Sequence, residues 1–218
     1  MLSRQIPLGS AALAAVIALI SPVLAQTSSS KRGLVYVPNE NHPDDDKIWV
    51  QEPTSLTWYY NYKEFPSSVY QDIPQSEFEF VPMLWGAPPN IDDTIYYDNI
   101  KSLINDRNVN VSHLLTFNEP DGPTYYGGSD MQPALAAQVW VNNVIPLQEE
   151  FPHLKVGLPG ITGAPYGLEW MHQFLANCSS LISTDDKNKK NCTYDFVTIH
   201  WYGNFEGLAS HLGTYSAA

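Results

Sequence analysis

From residue 33 onward the chain alternates short β-branched or aromatic runs with longer helical patterns, and this alternation limits the possible folds more than any other feature. The runs fall at 33–38 (GLVYVP), 56–62 (LTWYYNY), 78–86 (FEFVPMLWG), 113–117 (HLLTF), 155–162 (KVGLPGIT) and 196–203 (FVTIHWYG). Short apolar strands separated by helical stretches pair in parallel and carry their helices outside the sheet. Helices are predicted over 92–106, 133–151 and 167–176. The first starts at Asp92-Asp93-Thr94 and presents Ile95, Ile100, Leu103 and Ile104. The second offers Leu135, Val139, Ile145 and Leu147 to the core, with Pro146 expected to kink it or end it early. The third places Leu168, Met171 and Leu175 on one face. The connection after the first run reads as irregular, with a short helix at most and a solvated acidic patch at Asp44-Asp45-Asp46.

Such a pattern closes into a barrel or stays open as a doubly wound sheet. No glycine-rich dinucleotide or phosphate loop follows any of the runs, which favours the barrel. The expected fold class is α/β, of the (β/α)8 TIM-barrel type, with six of eight β/α units in this chain. A closed barrel takes about 250 residues, so the chain is expected to end before its seventh strand.

Residues 1–25 read as a secretory signal peptide, with Arg4, an apolar stretch from Ala11 to Ile20 and a small-residue exit at Val23-Leu24-Ala25. The apolar stretch is below the roughly 18 residues of a membrane span, so no membrane insertion is expected after cleavage. Residues 26–32 read as a flexible leader whose Lys31-Arg32 is either a processing site or an ordinary solvated pair, and residues 33–218 as the folded domain. A net charge of −12 argues against nucleic acid and anionic membrane surfaces, and is compatible with a neutral polymer. In a secreted chain the two cysteines, Cys178 and Cys192, pair as a disulfide or stay as free thiols, with oxidation favouring the pair. Sequons at Asn110, Asn177 and Asn191 lie at or near predicted loops, where glycans would stay in water. The histidine spacing fits no metal motif, and neither a metal nor another cofactor is expected.

Under the barrel reading one mouth collects Asn39-Glu40 after the first run, Trp85 at the third, Asn118-Glu119 at the fourth and His200-Trp201-Tyr202 at the sixth. Aromatic rings beside carboxylates and amides suit sugars, whose C–H faces stack while their hydroxyls hydrogen bond. Buried polar groups without such a purpose would be costly.

FNEPDG, the paired-cysteine loop and DFVTIHWYG, in this order and spacing, resemble the fungal glycosyl hydrolase catalytic-core family, glycoside hydrolase family 128 of clan A, which is related to the alkali-sensitive-linkage proteins of cell walls. The resemblance runs from Gly33 to Tyr215. It implies retaining hydrolysis of β-1,3-glucan in the cell wall or outside the cell, with Glu119 as general acid/base and Asn118 holding substrate. It also implies that Trp85, His200, Trp201 and Tyr202 line the glucan cleft.

Retention needs a second carboxylate about 5 Å from the first. The family pattern puts it at the end of a seventh strand, which this chain lacks. Asp195 precedes the sixth run at the wrong mouth, Asp121 reads as a loop-shaping residue, and Glu206 as a solvated residue of a helix start. Glu40 is placed to bind sugar, without a nucleophile's role. The expected protein is a secreted β-glucanase-type hydrolase, monomeric by default, and the alternative is a non-catalytic glucan-binding or wall-structural protein.

Overall fold

The structure, a computed structural model, describes residues 31–185 and 187–217. Residues 1–25, expected to be a signal peptide, and residues 26–30 of the expected leader lie outside them. Arg32, counted in the leader from sequence, is already bonded: its carbonyl accepts the Thr57 amide at 3.1 Å and its guanidinium donates to Ser55 Oγ at 2.8 Å.

Among the described residues five short strands form: β1 (Gly33–Val35), β2 (Trp58–Tyr60), β3 (Glu79–Phe80), β4 (His113–Leu114) and β5 (Lys155–Val156). They pair in parallel as a three-stranded sheet, β1-β2-β3, and a two-stranded one, β4-β5. A parallel bridge between Met83 and Leu115 links the two sheets. Bridges from Gly157 to Phe196 and from Ile161 to Ile199 attach the 196–199 segment beyond β5. The result is a mixed α/β fold whose six runs neighbour one another in chain order. Among the described residues no bridge joins β1 to the 196–199 segment, so the ladder is open rather than closed. The strands are shorter than their apolar runs, and Pro82 and Pro159 contribute to that, since proline has no amide for the ladder.

Four helices follow the pattern: α1 (Ile95–Asn105), α2 (Pro133–Glu150), α3 (Gly167–Ile182) and α4 (Phe205–Ala217). Strand alternation sorts the side chains into two sets. Tyr59, Phe80, Leu114, Phe117 and Val156 are buried on the helix side, against Ile100, Leu103, Val139, Trp140, Leu147 and Phe174. Trp58, Tyr60, Met83, Leu115 and Phe196 point the other way and line a cavity of about 340 Å³ inside the curled sheet.

Three expectations need correction. Pro146 neither ends nor shortens α2, which runs its full 18 residues. Only one intrahelical bond is forfeited there, and burial of Val144 and Leu147 on either side of it outweighs that loss. Helix α3 continues six residues past Ala176 because Cys178 is fully buried and disulfide-bonded to Cys192. The Asn177 sequon therefore lies within a helix, with its side chain donating to the Gln173 carbonyl, whereas Asn110 and Asn191 are exposed outside helices and strands. The acidic patch is not wholly solvated either: Asp46 is buried, accepting the Tyr36 hydroxyl at 2.9 Å and the Asn39 amide at 3.0 Å.

Asn143, fully buried on α2, accepts the Tyr97 amide at 3.2 Å and donates to the Asp93 carbonyl at 3.0 Å, which fixes the start of α1. Asn143→Leu strands both backbone groups, and denaturant unfolding should show a loss of about 1–3 kcal/mol. At the N-terminal end of the strands, the Val156 amide and then Lys155 hold the Asp195 carboxyl below its usual range. A depressed carboxyl contributes stability above the unfolded carboxylate value, and that stability is lost as pH falls through the folded value. Asp195→Asn should therefore flatten the acid limb of a stability-against-pH curve measured by thermal unfolding.

Candidate active site

The mouth at the C-terminal ends of the strands is organised by the backbone of Asn118 and Glu119. The Asn118 amide donates to the Trp85 carbonyl at 2.9 Å, and the Glu119 amide to the Gly160 carbonyl at 2.7 Å. Both sheet neighbours thus grip this pair just where the chain turns. Glu119 sits at φ +44°, a left-handed conformation that an L-residue holds only when its surroundings impose it. Its carbonyl accepts the Gly122 amide at 2.8 Å, the Pro120 carbonyl accepts the Met131 amide at 2.8 Å, and the Asn118 carbonyl accepts the Ser129 amide at 2.8 Å. These bonds fold residues 119–131 back over the strand end. At Gly128 a side chain would strike the carbonyls of Gly122 and Glu119, so glycine is required for this close approach.

The Glu119 side chain lands in a group of aromatic and imidazole partners. It is 8% exposed. Its Oε1 lies 2.8 Å from His200 Nδ1 and accepts the Tyr202 hydroxyl at 3.3 Å. Both bonds fall on Oε1, so Oε2 is left for a ligand. His200 fits only because its neighbour is Gly160, where an added Cβ would come 2.6 Å from His200 Nε2. Tyr60 and Tyr62 complete the group, their rings 5.1 Å apart. Burial, and then the neighbouring Tyr62, Tyr202 and Glu119, push the Tyr60 phenol far up. Tyr202 is 85% exposed, and its phenol is pushed up as well, by partial desolvation and then by Glu119. Both phenols therefore remain protonated donors beside the carboxylate.

His200 and Tyr202, expected to contact sugar, are thus brought together on Glu119 itself. Trp201 between them faces the other way: its indole donates to the Asn204 carbonyl at 2.9 Å and packs at a tilt against His211 of α4, ring centroids 5.3 Å apart. Asn118 is buried with its carboxamide donating to the Gly127 carbonyl at 2.9 Å, a bond that shapes the loop after Glu119. Trp85 is 37% exposed at the rim of a neighbouring groove. Glu40 is exposed and takes no part in the hydrogen bonds of the Glu119 group.

The other carboxylates are engaged elsewhere. Asp121 binds the Thr162 amide at 2.8 Å and its hydroxyl at 2.5 Å, tying two mouth loops together. Asp195 lies at the opposite end of the strands, and Glu206 is exposed in the first turn of α4. Sequence reasoning missed Tyr60 and Tyr62. The signal was present in LTWYYNY, whose alternate residues Trp58 and Tyr60 share one face of the second strand, with Tyr62 two residues beyond its end.

Comparisons with known proteins bear on the fold and the family. Alkali-sensitive linkage protein 1 of Schizosaccharomyces pombe is 26% identical over 187 residues, which are 85% of this chain and 29% of that protein. The chain thus spans about three-tenths of the length of this curated relative. A GH128 (subgroup II) endo-beta-1,3-glucanase from Sorangium cellulosum shares the fold at a TM-score of 0.62 and 24% identity, over 85% of this chain and 69% of that one. A GH128 (subgroup VII) oligosaccharide-binding protein from Cryptococcus neoformans shares it at a TM-score of 0.53 and 21% identity, over 74% and 56% of the two chains. The profile of one family, described as glycosyl hydrolase catalytic core, matches residues 33–218, and the chain belongs to that family.

Proposed function

We propose that this chain is the catalytic-core portion of a secreted glycosyl hydrolase that acts on β-1,3-glucan of the cell wall, with Glu119 as general acid/base. The observation that carries the reading is a nearly buried carboxylate at a strand's C-terminal end, hydrogen bonded through one oxygen and with its other oxygen unengaged. Glu119 would protonate the leaving glycosidic oxygen while a second carboxylate, expected outside the six units of this chain, attacks the anomeric carbon. It would then take a proton from the water that releases the sugar. His200 and Tyr202 act here as positioning residues for Glu119. The chain-order parallel strands support a (β/α)8 barrel type with six units in this chain. Residues 1–25 support secretion.

A second reading, a glucan-binding protein without hydrolysis, is favoured by one feature. Among the described residues no other carboxylate is hydrogen bonded into the Glu119 group. The Cryptococcus neoformans relative, an oligosaccharide-binding protein, makes the same fold compatible with binding alone.

Reducing-sugar release from a β-1,3-glucan by the whole protein of which this chain is a portion, with and without the Glu119 substitution, separates the two. Under the hydrolase reading, Glu119→Gln lowers the rate about 10²- to 10⁴-fold with the fold intact by circular dichroism. Equal release by both proteins would remove Glu119 from the chemistry, and glucan binding without release by either would establish the second reading. Gly160→Ala should displace His200 from Glu119. Imidazole nitrogen shifts in NMR should report the lost bond, and the rate should fall with little change in glucan affinity.

A further inference from the structure

The three sequons differ in what the fold does to them. A sequon needs a hydroxyl two residues after its asparagine, so the transferase must reach both the carboxamide and that hydroxyl. At Asn177 neither is open. The carboxamide donates to the Gln173 carbonyl at 2.7 Å, and Ser179 Oγ accepts the Cys192 amide at 3.0 Å. Cys178 between them is 0% exposed and disulfide-bonded to Cys192. All three residues of the sequon lie in α3, whose regular backbone holds them in one conformation.

The disulfide is what closes this sequon. Cys178 is the last buried residue of α3, so the helix beyond Phe174 depends on that side chain and its bond. The same bond brings the Cys192 amide to Ser179. The cysteines stand 14 positions apart, a short loop that closes at small entropic cost. The other two sequons are open. Asn110 precedes β4 and Asn191 precedes the 196–199 segment, both exposed and outside helices and strands. Among the described residues neither carboxamide is hydrogen bonded, nor are the hydroxyls of Ser112 and Thr193. Both sites lie toward the N-terminal end of the strands, so a bulky polar chain there meets water and stays away from the mouth that holds Glu119.

We propose that the Cys178–Cys192 disulfide selects the glycosylation pattern: Asn110 and Asn191 carry N-linked oligosaccharide, and Asn177 stays unmodified because the disulfide closes its sequon first. The donor is a lipid-diphosphate-linked oligosaccharide. The asparagine Nδ2 forms a bond to its anomeric carbon, the bond from that carbon to the diphosphate oxygen breaks, the lipid diphosphate leaves with the electron pair, and the amide gives up one proton to a base. The proposal rests on the secretion reading above, since oxidation of the cysteines and the transfer both belong to the secretory route.

The test is site occupancy in the whole protein, residues 1–25 included, made in a eukaryotic secretory host as the parent and as Cys192→Ala. That substitution leaves the Asn177-Cys178-Ser179 sequon untouched and, introducing no proline, keeps the Asn191 sequon. Enzymatic deglycosylation in heavy-oxygen water marks each formerly modified asparagine, and Lys187, Lys189 and Lys190 put Asn177 and Asn191 on separate tryptic peptides. Mass spectrometry of the parent should show modification at Asn110 and Asn191 and none at Asn177, and Cys192→Ala should gain the Asn177 modification. Occupancy is read on cell-associated and secreted protein alike, so a variant that misfolds still reports. Modification of Asn177 in the parent, or its absence in Cys192→Ala, would overturn the role given to the disulfide. Bare Asn110 or Asn191 in protein from which residues 1–25 have been removed would overturn the site assignment and leave secretion standing. Retention of residues 1–25 with no modification at any sequon would overturn the secretion reading and this one together.

Discussion

Glu119 takes its direction from main-chain hydrogen bonds made on both sides of it in the sheet. The Asn118 amide reaches the Trp85 carbonyl on one side and the Glu119 amide reaches the Gly160 carbonyl on the other. Held between these neighbours, Glu119 takes a left-handed backbone conformation that turns the chain out of the ladder. Such a conformation costs about 1–3 kcal/mol, and the bonds of residues 118–131 offset it. The direction of the carboxylate, the fold of the following loop and the reach of His200 all follow from that turn.

The electrostatics of the group depend on the same geometry. A carboxylate with little exposure needs donors, and those available are one imidazole and one phenol on the 196–202 segment, both bound to a single oxygen. The tyrosines nearby stay neutral because burial and the carboxylate act in the same direction. The result is a polarised corner: one Glu119 oxygen is committed to the protein and one is free for chemistry. Trp85 and Tyr62 extend that corner toward the groove beside α1, so aromatic surface and the Glu119 carboxylate share backbone and ring contacts.

Helix packing holds the mouth from behind. Phe117, next to Asn118, meets Trp140 of α2 and Phe174 of α3 at ring separations of 6.5 Å and 6.3 Å. The Trp170 indole donates to the Met131 carbonyl at 2.7 Å, where the loop after Glu119 rejoins α2. Burial of these rings, each contributing about 1.5–3 kcal/mol, fixes the height of the fourth strand relative to its neighbours.

Much of this was legible in the chain itself. The order of strands and helices, their parallel pairing and the placement of Glu119 at a strand end follow from local periodicity, because a run's own apolar spacing decides whether it buries one face or two. The Cys178–Cys192 bond was likewise readable from the cysteine count and its setting. What periodicity does not carry is direction at the strand ends. Whether His200 touches sugar or Glu119, and whether Asp46 meets water or Tyr36, depend on contacts made between separate elements. Tertiary structure decided these because a hydrogen bond needs its partner within about 3 Å, and only the packed sheet brings positions 119 and 200 that close.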